Sequence, residues 1–228
     1  MTLFKKNIKR EIITTNDGSK TIHFPEINES YHSKHGAYQE AQHVFIKSGL
    51  SQIEKQQISI LEVGFGTGLN AILTYIYAKN KAKTIDYHGL EAFPVSDDEI
   101  NAINYPNIAP IQDYQEVFQK FHTIDWNVAT DISNSFTLKK IQTTLENFHP
   151  DKSHYDLIYF DAFGPRVQPE MWTLEIFQKI FNATRKSGVF VTYSCRGQVR
   201  RDLLTAGFKV EKIPGPPGKR EMLRAVKV

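Results

Sequence analysis

Residues 58–70 read ISILEVGFGTGLN, an apolar run that passes through three alternate glycines into a segment of helical pattern. Few local patterns restrict a fold as strongly. Ile60, Leu61 and Val63 form a buried strand, and Gly64, Gly66 and Gly68 allow positive φ and close approach of a ligand to backbone that carries no Cβ. Residues 69–78 then continue as a helix whose first N–H groups face that ligand. Strand, glycine turn and helix in this order serve nucleotide-like ligands, but the dinucleotide fingerprint is GxGxxG and residues 64–68 read GxGxG. The spacing therefore points to S-adenosylmethionine rather than NAD, with Phe65, Thr67 and Asn70 completing the expected cofactor loop. A bare tight junction between strand and helix is the simpler alternative, and the neighbouring segments decide against it.

Glu91 ends the apolar run IDYHGL at 85–90, where the second strand of an open α/β sheet delivers a carboxylate to both hydroxyls of a ribose. Its rival role is a helix-capping glutamate, since SDDE at 96–99 opens like a helix. Residues 155–160, YDLIYF, form a second buried parallel strand that runs into Asp161-Ala162-Phe163-Gly164-Pro165. A carboxylate there points into the crevice where such sheets hold ligands, and Gly164 with Pro165 turns the chain away as a loop. Asp161 is the foremost candidate for chemistry.

Strands expected at about 58–63, 85–90, 124–129, 155–160 and 188–194 alternate with helical patterns, the mark of a doubly wound parallel α/β sheet. After the helix at 198–206, two strands at 208–213 and 221–228 are joined only by PGPPG and must be antiparallel, so the predicted sheet has seven strands and ends in a hairpin. Ahead of it, residues 8–24 read as a β-hairpin around Asn16-Asp17-Gly18, and residues 31–48 as a helix closed by Gly49. The organisation expected is an extension over residues 1–50 and a catalytic domain over 51–228.

Cys195 is the sole cysteine, which rules out intrachain disulfides and metal sites built on cysteine pairs. The eight histidines are scattered, with His32 and His35 the one close pair, so no metal centre is expected. The start MTLFKKNIKR lacks an apolar core and no run is long enough to span a bilayer, so a soluble, cytoplasmic protein is expected. Charge is unevenly spread: residues 185–228 carry +8 against −5 for the remainder. Arg196, Arg200, Arg201, Lys219, Arg220 and Arg224 fall around loops at the carboxyl side of the sheet, either as a solvated face or as a footprint for phosphate backbones.

Four blocks occur in order: VGFGTGLN at 63–70, EAFP at 91–94, DAFGP at 161–165 with PEMW at 169–172, and KREML at 219–223. On these the chain resembles the tRNA 5-(aminomethyl)-2-thiouridine methyltransferases, which occur alone or as one half of a bifunctional enzyme whose other half is an FAD-dependent oxidase. The resemblance covers most of residues 30–228 and implies a Rossmann-like methyltransferase fold, S-adenosylmethionine held by the glycine loop and Glu91, and Asp161 at the site of methyl transfer to a tRNA wobble uridine. It implies no oxidase half within this sequence. It further aligns Asp131, in VATDI, with an adenine-side aspartate, although Thr130 stands where glycine is usual. Phe163, Met171 and Trp172 would line an apolar wall for the flipped base, unless Met171 and Trp172 belong to the core at the start of the helix over 173–184. A methyltransferase of small-molecule amines, or a non-catalytic RNA-binding protein of the same fold, would share many of these residues.

Overall fold

The computed structural model describes residues 8–228; the N-terminal stretch 1–7, including most of the region read above for a targeting signal, lies outside the described residues. A three-stranded sheet opens the chain, β1 (Glu11–Thr14), β2 (Lys20–Phe24) and β3 (Glu29–Ser30). The expected β1–β2 hairpin forms around Gly18 at φ +82°. Helix α1 (Ala37–Ala41) runs on as a π-helical stretch, Gln42–Lys47, that ends at Ser48 without a left-handed glycine cap. It begins six residues later than its pattern suggests, and residues 31–34 instead line a cavity.

The remaining elements are β4 (Gln57–Val63), α2 (Leu69–Asn80), β5 (Thr84–Glu91), α3 (Asp97–Ala102), α4 (Gln115–Thr123), β6 (Ala129–Ser133), β7 (Phe136–Gln142), β8 (Tyr155–Phe160), α5 (Leu174–Ala183), β9 (Thr184–Thr192), α6 (Gly197–Ala206), β10 (Phe208–Pro214) and β11 (Glu221–Lys227). They build one sheet in the order β10-β11-β9-β8-β4-β5-β7-β6. Strands β4, β5, β7, β8 and β9 run parallel, and β10 and β11 form the antiparallel terminal hairpin.

The sheet has eight strands rather than seven. Residues 124–128 connect α4 to β6, and the strand expected there is replaced by the antiparallel pair β6–β7. Two consecutive lysines, Lys139 and Lys140, disguise β7 in the sequence. Lys140 is nevertheless buried, because its Nζ donates to the His122 carbonyl at 3.0 Å and lies 4.8 Å from the centre of the Trp126 ring.

The chain winds outward from β4 through β5 to β7, then returns to place β8 on the other side of β4. Between β4 and β8 the direction of winding reverses, which opens a crevice at their carboxyl ends. One face of the sheet packs its apolar side chains against α5 and α6, through Leu61, Ile158, Phe177 and Leu203. On the other face Ile60, Tyr87 and Tyr159 join a core that also takes in Ile22, Phe24, Val44 and Phe45 from the N-terminal segment. The N-terminal segment and the sheet are thus built on a shared hydrophobic core.

Candidate active site

The crevice is a cavity of about 480 Å³, a volume suited to a nucleotide-sized ligand. Its floor is the glycine turn. Gly64 stands at φ +92°, and a Cβ there would lie 2.7 Å from the Asp161 carbonyl oxygen, so only glycine lets the ends of β4 and β8 meet this closely. Gly66, at φ +51°, is capped differently: a Cβ would lie 2.9 Å from the Tyr31 ring, which covers the loop from the N-terminal side. Phe65 turns its side chain into the core, where it occupies the space left open by Gly89 of β5, and Gly68 forms the left-handed cap of α2. Thr67 Oγ1 donates to Tyr105 Oη at 3.2 Å, and Tyr105 Oη lies 3.4 Å from Nδ1 of buried His32, tying the loop to the N-terminal sheet. Burial lowers the His32 pKa to about 4, so this contact is made by a neutral imidazole.

Three carboxylates converge on the turn. Glu91 accepts the Gly66 N–H through Oε2 at 3.0 Å and the Phe93 N–H through Oε1 at 2.8 Å. The Ala92 N–H also acts on this carboxylate, and its two oxygens together still leave acceptor capacity toward the cavity. Helix capping falls to Glu99, which closes a capping box with Ser96 and pairs with Arg10. Glu62, unremarked in the sequence, is fully buried and accepts from Tyr87 Oη at 2.7 Å and Asn70 Nδ2 at 2.8 Å. Burial, opposed by those two hydrogen bonds, holds its carboxyl well above the usual range. Asn70 Nδ2 also donates to Asp161 Oδ2 at 2.9 Å, while the buried Asn70 Oδ1 has no hydrogen-bond partner among the described residues.

Asp161 lies at the end of β8 with that single side-chain donor. Burial, reinforced by the negative charge of Glu40, raises its pKa to about 7, against the weaker opposing effects of Asn70 and Lys219. Glu40 comes from α1 and was also unforeseen: its Oε2 accepts the Ser33 N–H at 2.7 Å and its Oε1 pairs with Lys219 Nζ at 2.7 Å. Lys219 Nζ lies 4.0 Å from the centre of the Tyr193 ring, and Tyr193 Oη donates to the Ala162 carbonyl at 2.9 Å.

The cavity gathers Gly64, Phe65, Gly66, Thr67, Asn70, Glu91, Asp161, Phe163, Met171 and Lys219 from the residues singled out above. Asp131, Trp172, Arg196, Arg200 and Arg220 lie outside its lining, and Lys219, although within it, acts differently from the phosphate contact expected. Asp131 sits exposed on the edge strand β6, where its Oδ1 accepts from Thr137 Oγ1 at 2.7 Å; this part of the chain lines the crevice only after β7, through Thr143 and Thr144. Trp172 is core, packed 5.0 Å from the Phe160 ring, with Nε1 donating to the Phe163 carbonyl at 2.7 Å, so it anchors the DAFGP loop and does not line the wall. Lys219 is turned inward to Glu40, away from a phosphate-binding surface. Arg196, Arg200 and Arg220 are exposed outside the cavity lining; Arg196 and Arg200 stand at the start of α6, just past the carboxyl end of β9.

A family model described as S-adenosyl-L-methionine-dependent methyltransferase matches residues 107–228. The bifunctional tRNA 5-methylaminomethyl-2-thiouridine biosynthesis protein MnmC of Nitrosospira multiformis is 31% identical over 214 residues, which cover 89% of this chain and 35% of that protein. Its namesake in Cupriavidus metallidurans is 27% identical over 227 residues, 93% of this chain and 33% of that one. The chain therefore spans about a third of the length of these curated relatives. Among solved structures, MNMC2 from Aquifex aeolicus superimposes with a TM-score of 0.75 at 27% identity, over 96% of this chain and 71% of that one. Spermidine synthase from Thermotoga maritima shares the fold, with a TM-score of 0.53 at 12% identity over 96% and 74% of the two chains. The family match takes in more than half of the sequence, Asp161 and Lys219 included, and the chain belongs to the S-adenosyl-L-methionine-dependent methyltransferases.

Proposed function

We propose that this methyltransferase acts on the amino nitrogen of 5-aminomethyl-2-thiouridine at the wobble position of tRNA. The relatives named for that pathway supply the substrate class, and Asp161 is the observation that carries the chemistry: a carboxylate with a pKa near 7, at the inner end of a cavity ordered by the glycine turn. The residues present fit the cofactor. Asn70 Oδ1 is a buried acceptor without a partner and Asp161 is a carboxylate with one donor, together a receptor for an ammonium group. Glu91 retains acceptor capacity for a ribose diol.

S-adenosylmethionine, when bound, supplies an electrophilic methyl group on a sulfonium. Transfer to an amine requires a neutral nitrogen in line with that methyl, so the protein's work is alignment, exclusion of water and removal of one proton. The Asp161 carboxylate orients the amine by accepting from it and takes the proton released as the new N–C bond forms. A pKa near 7 suits an acceptor that must be ionised before the step and protonated after it. Burial raises that value most, and Glu40 and Lys219 shift it further in opposite directions. Phe163 and Met171 give the base an apolar wall, and Arg196, Arg200 and Arg220 lie outside it for tRNA phosphates.

The substrate places the activity in the cytoplasm; among the described residues no helix is long and apolar enough to cross a membrane. The test incubates the protein and S-adenosylmethionine with tRNA bearing the 5-aminomethyl group or an unmodified 5-position, followed by nucleoside mass spectrometry. One added methyl on the aminomethyl nucleoside alone is expected. Methylation of free amines with none on either tRNA would transfer the activity to small molecules.

A further inference from the structure

A second cluster of ligand-bearing side chains lies toward the opposite end of the sheet. Asp86 and His88 are alternate residues near the start of β5, and His154 immediately precedes β8. The sequence separates His88 from His154 by 66 positions, and the sheet brings them together across β4. Their rings stack at 5.6 Å between centroids with an interplanar angle of 14°. His88 Nε2 lies 3.5 Å from Asp86 Oδ1, and His154 Nε2 lies 3.7 Å from Asp86 Oδ2. One ligand atom from each of the three lies within 4.8 Å of the others.

These separations are too long for good hydrogen bonds and suit ligands around a shared ion. Bonds of about 2.0–2.2 Å at tetrahedral angles put ligand atoms roughly 3.3–3.5 Å apart. His154 Nε2 is out of solvent and makes no hydrogen bond among the described residues, a cost that a bound cation would remove. His88 Nδ1 lies 2.8 Å from Tyr155 Oη, and Tyr155 is buried; a ligating imidazole places its other N–H against such a partner. Asp86 remains 43% exposed at its side chain, which leaves room for water to complete the coordination.

We propose that Asp86, His88 and His154 form a site for a first-row divalent cation, with Zn²⁺ the ion best suited to two imidazoles and a carboxylate. The site is structural. It ties β5 to the entrance of β8 over the intervening β4; His88 lies three residues before Glu91 and His154 seven before Asp161 along the chain, roughly 10 and 23 Å at strand spacing. Lys139, paired in register with His88, puts a positive charge nearby and weakens the site.

Tag-free full chain, stripped with a chelator, is titrated with Co²⁺ and then Zn²⁺ while visible absorption and thermal melting are followed. One equivalent of Co²⁺ should give the visible bands of a four-coordinate site and be displaced by Zn²⁺, and Zn²⁺ should raise the melting temperature. His154→Ala and Asp86→Asn should each weaken binding at least tenfold and abolish the thermal shift, while Lys139→Gln should tighten it. S-adenosylmethionine binding should be the same with and without the ion. Wild-type protein that takes up neither ion, or a His154→Ala variant that melts as wild type yet binds with unchanged affinity, would overturn the assignment.

Discussion

Asp156 and Asp161 lie five positions apart, at the two ends of the same buried strand, and their surroundings are opposite. Asp156 is 2% exposed and fully served: Oδ1 accepts from Lys55, and Oδ2 accepts from Arg185 Nη1 at 2.8 Å and the Ser59 N–H at 3.0 Å. Asp161 has one neutral side-chain donor and a second carboxylate, Glu40, close enough to raise its pKa. A carboxylate that holds a fold together collects cations and N–H groups. Asp161, proposed to accept a proton and orient a ligand, is left undersupplied, at a cost in stability that the rest of the core offsets.

Methyl transfer should separate the two most widely. Asp161→Ala is expected to lower the single-turnover rate on tRNA by about a hundredfold or more, since a misplaced amine loses the gain from alignment. Asp156→Ala should leave the rate per folded molecule within about twofold of wild type. Equal losses in the two variants, measured at matched folded fractions, would erase the distinction.

Stability should rank them the other way. Asp156→Ala strands the Ser59 N–H and two cationic side chains, and should cost about 2 kcal/mol in urea denaturation; Lys55 and Arg185 are partly exposed and can turn to water, which limits the loss. An unchanged midpoint would show that those contacts contribute nothing.

The same contrast explains what the sequence could and could not disclose. The glycine turn, Glu91 and Asp161 are each written within a dozen contiguous residues, as an apolar strand that ends in a turn, and the structure brings all three to one cavity. Asp131 is brought to the site only by the resemblance of VATDI, with a threonine where glycine is usual, and in the structure it stands exposed on the edge strand β6, outside the cavity lining. Glu40, Tyr31 and the Lys219–Glu40 pair had no local signal at all: they reach the site from segments up to 179 positions apart, joined only by tertiary packing. Glu62 looked like one polar residue in an apolar strand. Only its partners, Tyr87 and Asn70, mark it as part of the site.

A smaller effect tests the cost of leaving Asp161 undersupplied. Its folded pKa is about 7 against an ordinary 3.8, so between those values the folded protein keeps a proton that the unfolded chain has lost. Stability from this group is complete below about pH 4 and falls as pH rises to about 7. Asp161→Asn keeps an acceptor for Asn70 without the charge. In the absence of cofactor it should match wild type near pH 4 and exceed it by about 1–2 kcal/mol at pH 8, a figure discounted for the solvent that reaches the group. A constant difference across that range would show that Asp161 is not held at a raised pKa.

The smallest effect concerns charge outside the cavity. Arg196 and Arg200 are exposed at the start of α6, whereas Lys219, of the same basic segment, is paired with Glu40 inside. If the outer pair neutralises phosphates, the log–log dependence of tRNA affinity on salt should flatten by roughly 0.7–0.9 for each arginine replaced by glutamine. Lys219→Gln should leave that slope unchanged and instead shift the pH dependence of methyl transfer upward, because it removes the positive charge that lowers the Asp161 pKa. A flattened slope in Lys219→Gln, with none in Arg196→Gln/Arg200→Gln, would reverse the assignment of inner and outer cations. It would also make the Glu40 contact a resting arrangement that tRNA displaces.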